Sequence, residues 1–167
     1  MPRKGIIALV ACALAAGSAS LVSAQHKSGK LSAEDYVEIQ QLYARYNNAI
    51  DSGDAEAYAD TFVPDGTFNT FTGREALVGF IHSWREKMNG ANRRHWNSNL
   101  LINATPEGAS GSVYLLLIDV GVRPPVIAAA AKYDDQLVRT PQGWRFKKRT
   151  TKAEAPAAAP APSAEKK

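Results

Sequence analysis

The stretch LSAEDYVEIQQLYARYNNAIDSGDAEAYADTFVPDGTF, residues 31–68, decides the fold. Ser32 followed three residues later by Asp35 has the spacing of a capping box, so a helix begins here. Tyr36, Ile39, Tyr43, Tyr46 and Ile50 recur at steps of three and four, which predicts one apolar and aromatic stripe, while Glu38, Gln41 and Arg45 fall outside it. Gly53 supplies the left-handed residue that ends this helix and leaves Asp51 in its last turn. Asp54 caps a short second helix whose buried side is Ala55, Tyr58, Ala59 and Phe62. Pro64-Asp65-Gly66 reads as a turn into a strand over residues 67–72.

Working outward, Arg74–Met88 carries Leu77, Phe80, Ile81, Trp84 and Met88 at helical spacing and stops before Asn89-Gly90, which predicts a third helix. The texture then turns to β over residues 93–105, 112–122, 126–140 and 143–150, divided by Pro106-Glu107-Gly108, Pro124-Pro125 and Pro141-Gln142-Gly143. Helices first and an antiparallel meander afterwards imply an α+β domain. The expected form is a cone-like barrel, a strongly curved and mostly antiparallel sheet wrapped around the long N-terminal helix, with three helices and a pocket between helix and sheet.

The two ends of the 167-residue chain fall outside that domain, which leaves about 120 residues for one core. Residues 1–24 have a basic start (Arg3, Lys4), an apolar run over 6–16 and small residues at Val22-Ser23-Ala24, the pattern of an export signal. The chain is therefore expected to be periplasmic or secreted, with residues 25–30 as a linker. The apolar run is too short to cross a ~30 Å hydrocarbon core, so no integral membrane span is expected in the mature protein. The alternative is a lipoprotein, because Leu9-Val10-Ala11-Cys12 resembles a lipidation box that would anchor the chain at Cys12. Cys12 is the one cysteine of the sequence, so cleavage after Ala24 removes thiol chemistry altogether. Residues 152–167, rich in Ala and Pro, read as a disordered tail, and the domain is bounded at 31–151. Many of the basic residues behind the formal charge of +4 sit in these ends, so the charge predicts no nucleic-acid surface.

No metal-ligand spacing, glycine-rich phosphate loop or nucleophile elbow is present, so neither a metal nor a cofactor is expected. What remains is proton transfer by His and Asp. Asp51 lies where the helix dipole disfavours negative charge, either as a base or as part of a solvated turn. Of three histidines, His95 stands out: with Asn97 and Asn99 it shares one strand face, which is either a polar pocket wall or a solvated edge. Asp119 lies on an apolar strand face with Val113, Leu115 and Leu117, needing a partner there or else marking the strand's exit toward Gly121. Arg149 ends the last strand, and by strict alternation it lies opposite Trp144 and Phe146 unless a bulge intervenes.

Leu42-Tyr43, the break Ile50-Asp51-Ser52-Gly53-Asp54, the Pro64-Asp65-Gly66 turn, His95 and Gly143-Trp144-Arg145-Phe146 together resemble the SnoaL-like branch of the nuclear transport factor 2 superfamily over residues 31–150. That branch includes dehydratases that work through an Asp-His pair, and Asp51 and His95 fall at the matching positions. The bile-acid 7α-dehydratase pattern adds Tyr46, Asp119 and Arg149 as catalytic positions. The resemblance implies a cofactor-independent elimination from a hydrophobic cyclic small molecule, with Tyr43, Asn47, Phe62, Trp84 and Asn97 around the ligand. A non-catalytic binding module and a double-bond isomerase of the ketosteroid type are the alternatives it leaves open. It also implies a homotrimer or homodimer.

Overall fold

A computed structural model describes residues 30–154. The expected export signal, Cys12, the expected linker up to position 29 and the tail from position 155 lie outside the described residues.

The first helix, α1 (Ala33–Ser52), starts at the expected capping box: the Ser32 hydroxyl accepts from the Asp35 backbone at 3.1 Å and the Asp35 carboxylate accepts from the Ser32 backbone at 2.8 Å. It ends on Gly53, whose φ of 75° lies in the left-handed region. Its buried stripe is Ile39, Leu42, Tyr43, Tyr46, Ala49 and Ile50, whereas Tyr36, expected in the stripe, is 40% exposed at the helix start. Asp54 caps α2 (Ala55–Ala59) by accepting from the Ala57 backbone at 3.0 Å. The third helix, α3 (Arg74–Met88), has the expected bounds and buries Leu77 and Ile81.

The six strands are β1 (Phe62–Phe68), β2 (Phe71–Thr72), β3 (Arg93–Thr105), β4 (Gly108–Asp119), β5 (Val126–Thr140) and β6 (Gly143–Ala153). They form one curved, unclosed sheet in the order β2-β1-β6-β5-β4-β3, antiparallel except where β1 runs parallel to β6. The α+β architecture with three helices is thus the one expected, although the sheet keeps two free edges and does not close into a barrel. Lys152 and Ala153, read from composition as tail, continue β6 opposite Lys132 and Ala131.

Pro64-Asp65-Gly66 does not reverse the chain. It lies inside β1, where the six residues from Phe62 to Thr67 run beside only the three from Phe146 to Lys148 of β6. Proline's missing N–H falls in this irregular stretch, and a Cβ at Gly66 would come within 2.8 Å of the Phe62 Cβ. The reversal happens at Asn69, with φ of 51°, between β1 and β2. Phe62 accordingly leaves the second helix and opens β1.

Register shifts also interrupt the ladders after Ser98, Leu117 and Gln136. In β6, Phe146 pairs with Leu137 and Lys148 with Gln136, so Lys147 is an extra residue that switches the inward face. Trp144 and Phe146 face inward before it, and Arg149 faces inward after it. In β3 the bulge at Asn99, φ 56°, does the same: His95 and Asn97 face the helices before it, and Leu100 and Ile102 pack on the core after it.

Between helices and sheet lies an aromatic core of Tyr46, Tyr58, Phe62, Phe68, Tyr133, Trp144 and Phe146, all buried. Tyr46 touches Tyr58, Phe62, Phe68, Tyr133 and Phe146 with ring centroids 4.9–6.4 Å apart. The interior of the cone is therefore filled by side chains.

Candidate active site

Asp51 sits in the last turn of α1, and His95 faces it from the start of β3. The His95 Nδ1–H donates to Asp51 Oδ1 at 2.6 Å, and the His95 backbone N–H reaches both carboxylate oxygens at 3.2 and 3.1 Å. One residue therefore holds the carboxylate twice, which fixes the rotamers of both. The imidazole is 4% exposed and the carboxylate 13%. Asp51 is thus no solvated turn residue, while its neighbour Asp54 is a surface cap. In the neutral tautomer that carries its proton on Nδ1 toward the carboxylate, the lone pair is on Nε2, which makes no hydrogen bond among the described residues.

The pair is roofed by α3. Trp84 lies 6.0 Å from the His95 ring, and Arg85 passes so close over Gly53 that a Cβ there would come within 2.6 Å of its Cδ. The space against the pair on this side, bordered by Trp84, Arg85, Met88, Arg93 and Arg94, is about 40 Å³, room for one water molecule. One helical turn earlier along α1, between it and β3, a cleft of about 360 Å³ opens, lined by Tyr43, Asn47, Asn97, Leu100 and Val113 among others. The largest concavity, about 590 Å³, lies away from this chemistry around Val63, Gln136 and Lys147, and no residue of the pair borders it.

Three other positions implied by the resemblance make their hydrogen bonds to groups other than the pair. Arg149, turned inward by the Lys147 bulge, is fully buried and donates from Nε and Nη2 to Asp135 at 2.8 and 2.7 Å. Its guanidinium lies 4.0–4.7 Å from the ring centres of Phe146, Tyr46, Tyr133 and Tyr43, inside an aromatic box. The Tyr43 hydroxyl donates to the same Asp135 carboxylate. Burial opposes the charge on Arg149, yet the Asp135 carboxylate outweighs it and holds the guanidinium well above its ordinary range. Burial, then Asp135, pushes the Tyr43 phenol up. Tyr46 is buried with its hydroxyl 3.2 Å from that of Tyr58, and burial first, then Tyr58, raises its ionisation as well. Arg149 and Tyr46 therefore belong to the core, not to the surroundings of His95. The Asp119 carboxylate accepts from the Gly121 backbone at 2.9 Å and marks the strand's exit, because the chain leaves the ladder there. Phe62, expected beside the ligand, is packed among the core rings.

Of the expected ligand-lining residues, Tyr43, Asn47 and Asn97 border the larger cleft and Trp84 borders the small one. Sequence reasoning missed Asp135, although the two-residue period puts it on one face with Tyr133 and Leu137, where a carboxylate demands a partner. It also missed that Asp35, besides capping α1, accepts from Trp144 Nε1 at 2.9 Å and pairs with Arg139. Among the described residues no three His, Cys, Asp or Glu side chains are grouped to hold a metal ion, and no helix is long and apolar enough to cross a membrane.

A family model described as SnoaL-like domain matches residues 31–150. An uncharacterised protein of Mycobacterium tuberculosis, Rv2910c, is 30% identical over 121 residues, 69% of this chain and 82% of that protein. An NTF2-like protein with a cystatin-like fold from Novosphingobium aromaticivorans superposes with a TM-score of 0.68 at 25% identity, over 75% of this chain and 85% of its own. A Catenulispora acidiphila protein in complex with S-DNPA gives 0.66 at 31% identity, over 73% and 95%.

Proposed function

This chain belongs to the SnoaL-like domain family, and on that premise we propose that it is a cofactor-independent lyase that eliminates water, or another leaving group, from a hydrophobic cyclic small molecule. The observation that carries the reading is the buried 2.6 Å hydrogen bond from His95 Nδ1 to Asp51, which leaves Nε2 as a base with a fixed direction. In this reading Nε2 takes a carbon-bound proton and Asp51 stabilises the imidazolium that results, while the departing hydroxyl recovers a proton from water or from the same imidazolium. The relative in complex with S-DNPA supports a small-molecule ligand for this fold.

One observation favours a second reading, a binding module without turnover: the larger cleft is bordered by neither His95 nor Asp51. Isomerisation of a double bond uses the same base but breaks no bond to a leaving group: the proton taken from one carbon returns to another. The experiment is to incubate purified protein with hydroxylated ring compounds and follow loss of water by mass spectrometry. Turnover that falls by about 10²–10⁴ in His95→Gln, and falls also in Asp51→Asn, supports the lyase. Water release untouched by His95→Gln, or binding without conversion, overturns it.

Export and self-association complete the proposal. The segment over residues 1–24 supports a location outside the cytoplasm, with a mature N-terminus at Gln25; a lipid on Cys12 would make the anchored form the correct one. Self-association as a dimer or trimer is supported by the outer face of the sheet, where Trp96 (59% exposed) pairs with Leu116 and Leu116 with Ala130, beside Tyr114.

A further inference from the structure

The cleft beside the catalytic pair contains polar atoms that the protein leaves unmatched. Asn47 lies one helical turn before Asp51 on α1, and Asn97 lies two residues after His95 on the same face of β3. The two amides thus repeat the pairing of Asp51 with His95 one step further along the same helix and strand. Asn47 Oδ1 and both Asn97 amide atoms are buried, and none has a hydrogen-bond partner among the described residues. Leaving such groups unmatched is costly, and folded proteins rarely do it without a ligand or water to meet them.

We propose that Asn47 and Asn97 form a hydroxyl-reading subsite that selects an uncharged, hydroxylated ring for the adjoining pair; the inference rests on the proposed ligand chemistry of that pair. The unmatched set is two carbonyl oxygens and one NH2 group. Its complement is a ligand with two donors and acceptor oxygens beside them, which two hydroxyl groups provide. A carboxylate or phosphate offers acceptors only, and its charge would face two amide oxygens with no cation beside them, because none of the residues bordering the cleft is charged. Ala44, Leu100, Val113 and the Tyr43 ring supply apolar wall for the carbon skeleton. The volume of about 360 Å³ lies at the small end of the range for small-molecule sites. Specificity of this kind comes from buried polar groups that a wrong ligand leaves unpaired.

The test is calorimetric binding of 2,7-dihydroxynaphthalene, with naphthalene-2-carboxylate as the anionic control, to the wild type and to Asn47→Leu and Asn97→Leu. The neutral diol is expected to bind at least about tenfold tighter than the carboxylate, and each substitution is expected to weaken the diol by about tenfold while sparing the carboxylate. Should either leucine variant fail to fold, the side-chain amide signals of Asn47 and Asn97 in the wild type decide by NMR, shifting with the diol and not with the carboxylate. Equal or tighter binding of the carboxylate, unshifted amide signals, or no diol binding at about millimolar concentration overturns the subsite. Failure of the lyase reading looks different: the diol still binds through the two amides, while no ring compound is converted and His95→Gln changes nothing.

Discussion

The buried Asp135–Arg149 pair gives a prediction with a worked magnitude. Both side chains are fully buried, and the Tyr43 hydroxyl donates to the same carboxylate. Asp135→Ala strands a guanidinium in a box of four aromatic rings and removes the Tyr43 acceptor. Breaking a buried pair from one side costs about 3–5 kcal/mol. A domain of about 120 residues has an unfolding entropy near 0.25 kcal/mol/K at its midpoint, so Tm should fall by roughly 12–20 °C. That is a large share of a total stability of roughly 6–18 kcal/mol. The charge itself is not what the fold needs, because hydrophobic replacements that remove all the polar groups together avoid the stranded charge. The triple variant Tyr43→Phe, Asp135→Val, Arg149→Met should therefore recover most of the loss, within about 2 kcal/mol of wild type. Urea unfolding followed by tryptophan fluorescence, with scanning calorimetry for Tm, measures both. An Asp135→Ala protein within about 1 kcal/mol of wild type, or a triple variant no better than the single one, would refute the account of Arg149 as a core residue held by Asp135.

Burial holds the phenols of Tyr43, Tyr46, Tyr58 and Tyr133 protonated beyond their ordinary range, so four of the six tyrosines should ionise only as the protein unfolds. The folded values lie above the unfolded one, so this stability is fully present below about pH 10 and is lost as pH rises further; reversible ionisation of these four in a folded protein, followed by tyrosinate absorbance, would contradict it. Gly111→Ala should cost about 1–3 kcal/mol, because a Cβ there overlaps the Tyr43 hydroxyl oxygen. Gly79→Ala in α3, where a Cβ meets nothing within 4 Å, should instead stabilise by up to about 1 kcal/mol, and thermal denaturation of the two separates the cases. On the proposed self-association, Trp96→Arg should shift the protein to monomer in sedimentation velocity without lowering Tm of the monomer, since Trp96 contributes nothing to the inner core. An unchanged sedimentation coefficient would place the contact elsewhere.

Much of the fold was legible because its signals are local. The Ser32 and Asp54 caps, the Gly53 stop and the bounds of α3 follow from backbone chemistry within a turn of the residue concerned. Asp51 and His95 each stood out from local pattern, but their pairing became legible only through family resemblance, since residues 44 apart in sequence carry no local mark of being hydrogen-bonded. Pro64-Asp65-Gly66 misled for a physical reason: the conformational freedom and missing donor that suit a turn also suit a bulge, and only the partner strand distinguishes them.

The sequence by itself determined the helices, the antiparallel meander that follows them and the residue types available for proton transfer, because periodicity and capping are properties of neighbouring residues. Tertiary structure decided which of those residues meet. Strand alternation predicts a face only within an unbroken ladder, and the extra residues at Lys147 and Asn99 reset it. Those bulges exist because the sheet must bend around α1, a demand set across the whole domain and recorded at no single position. They turned Arg149 into the core beside Asp135 and broke the alternation at Asn99 that links His95 and Asn97, and so divided the candidates into those that hold the fold and those that face the cleft.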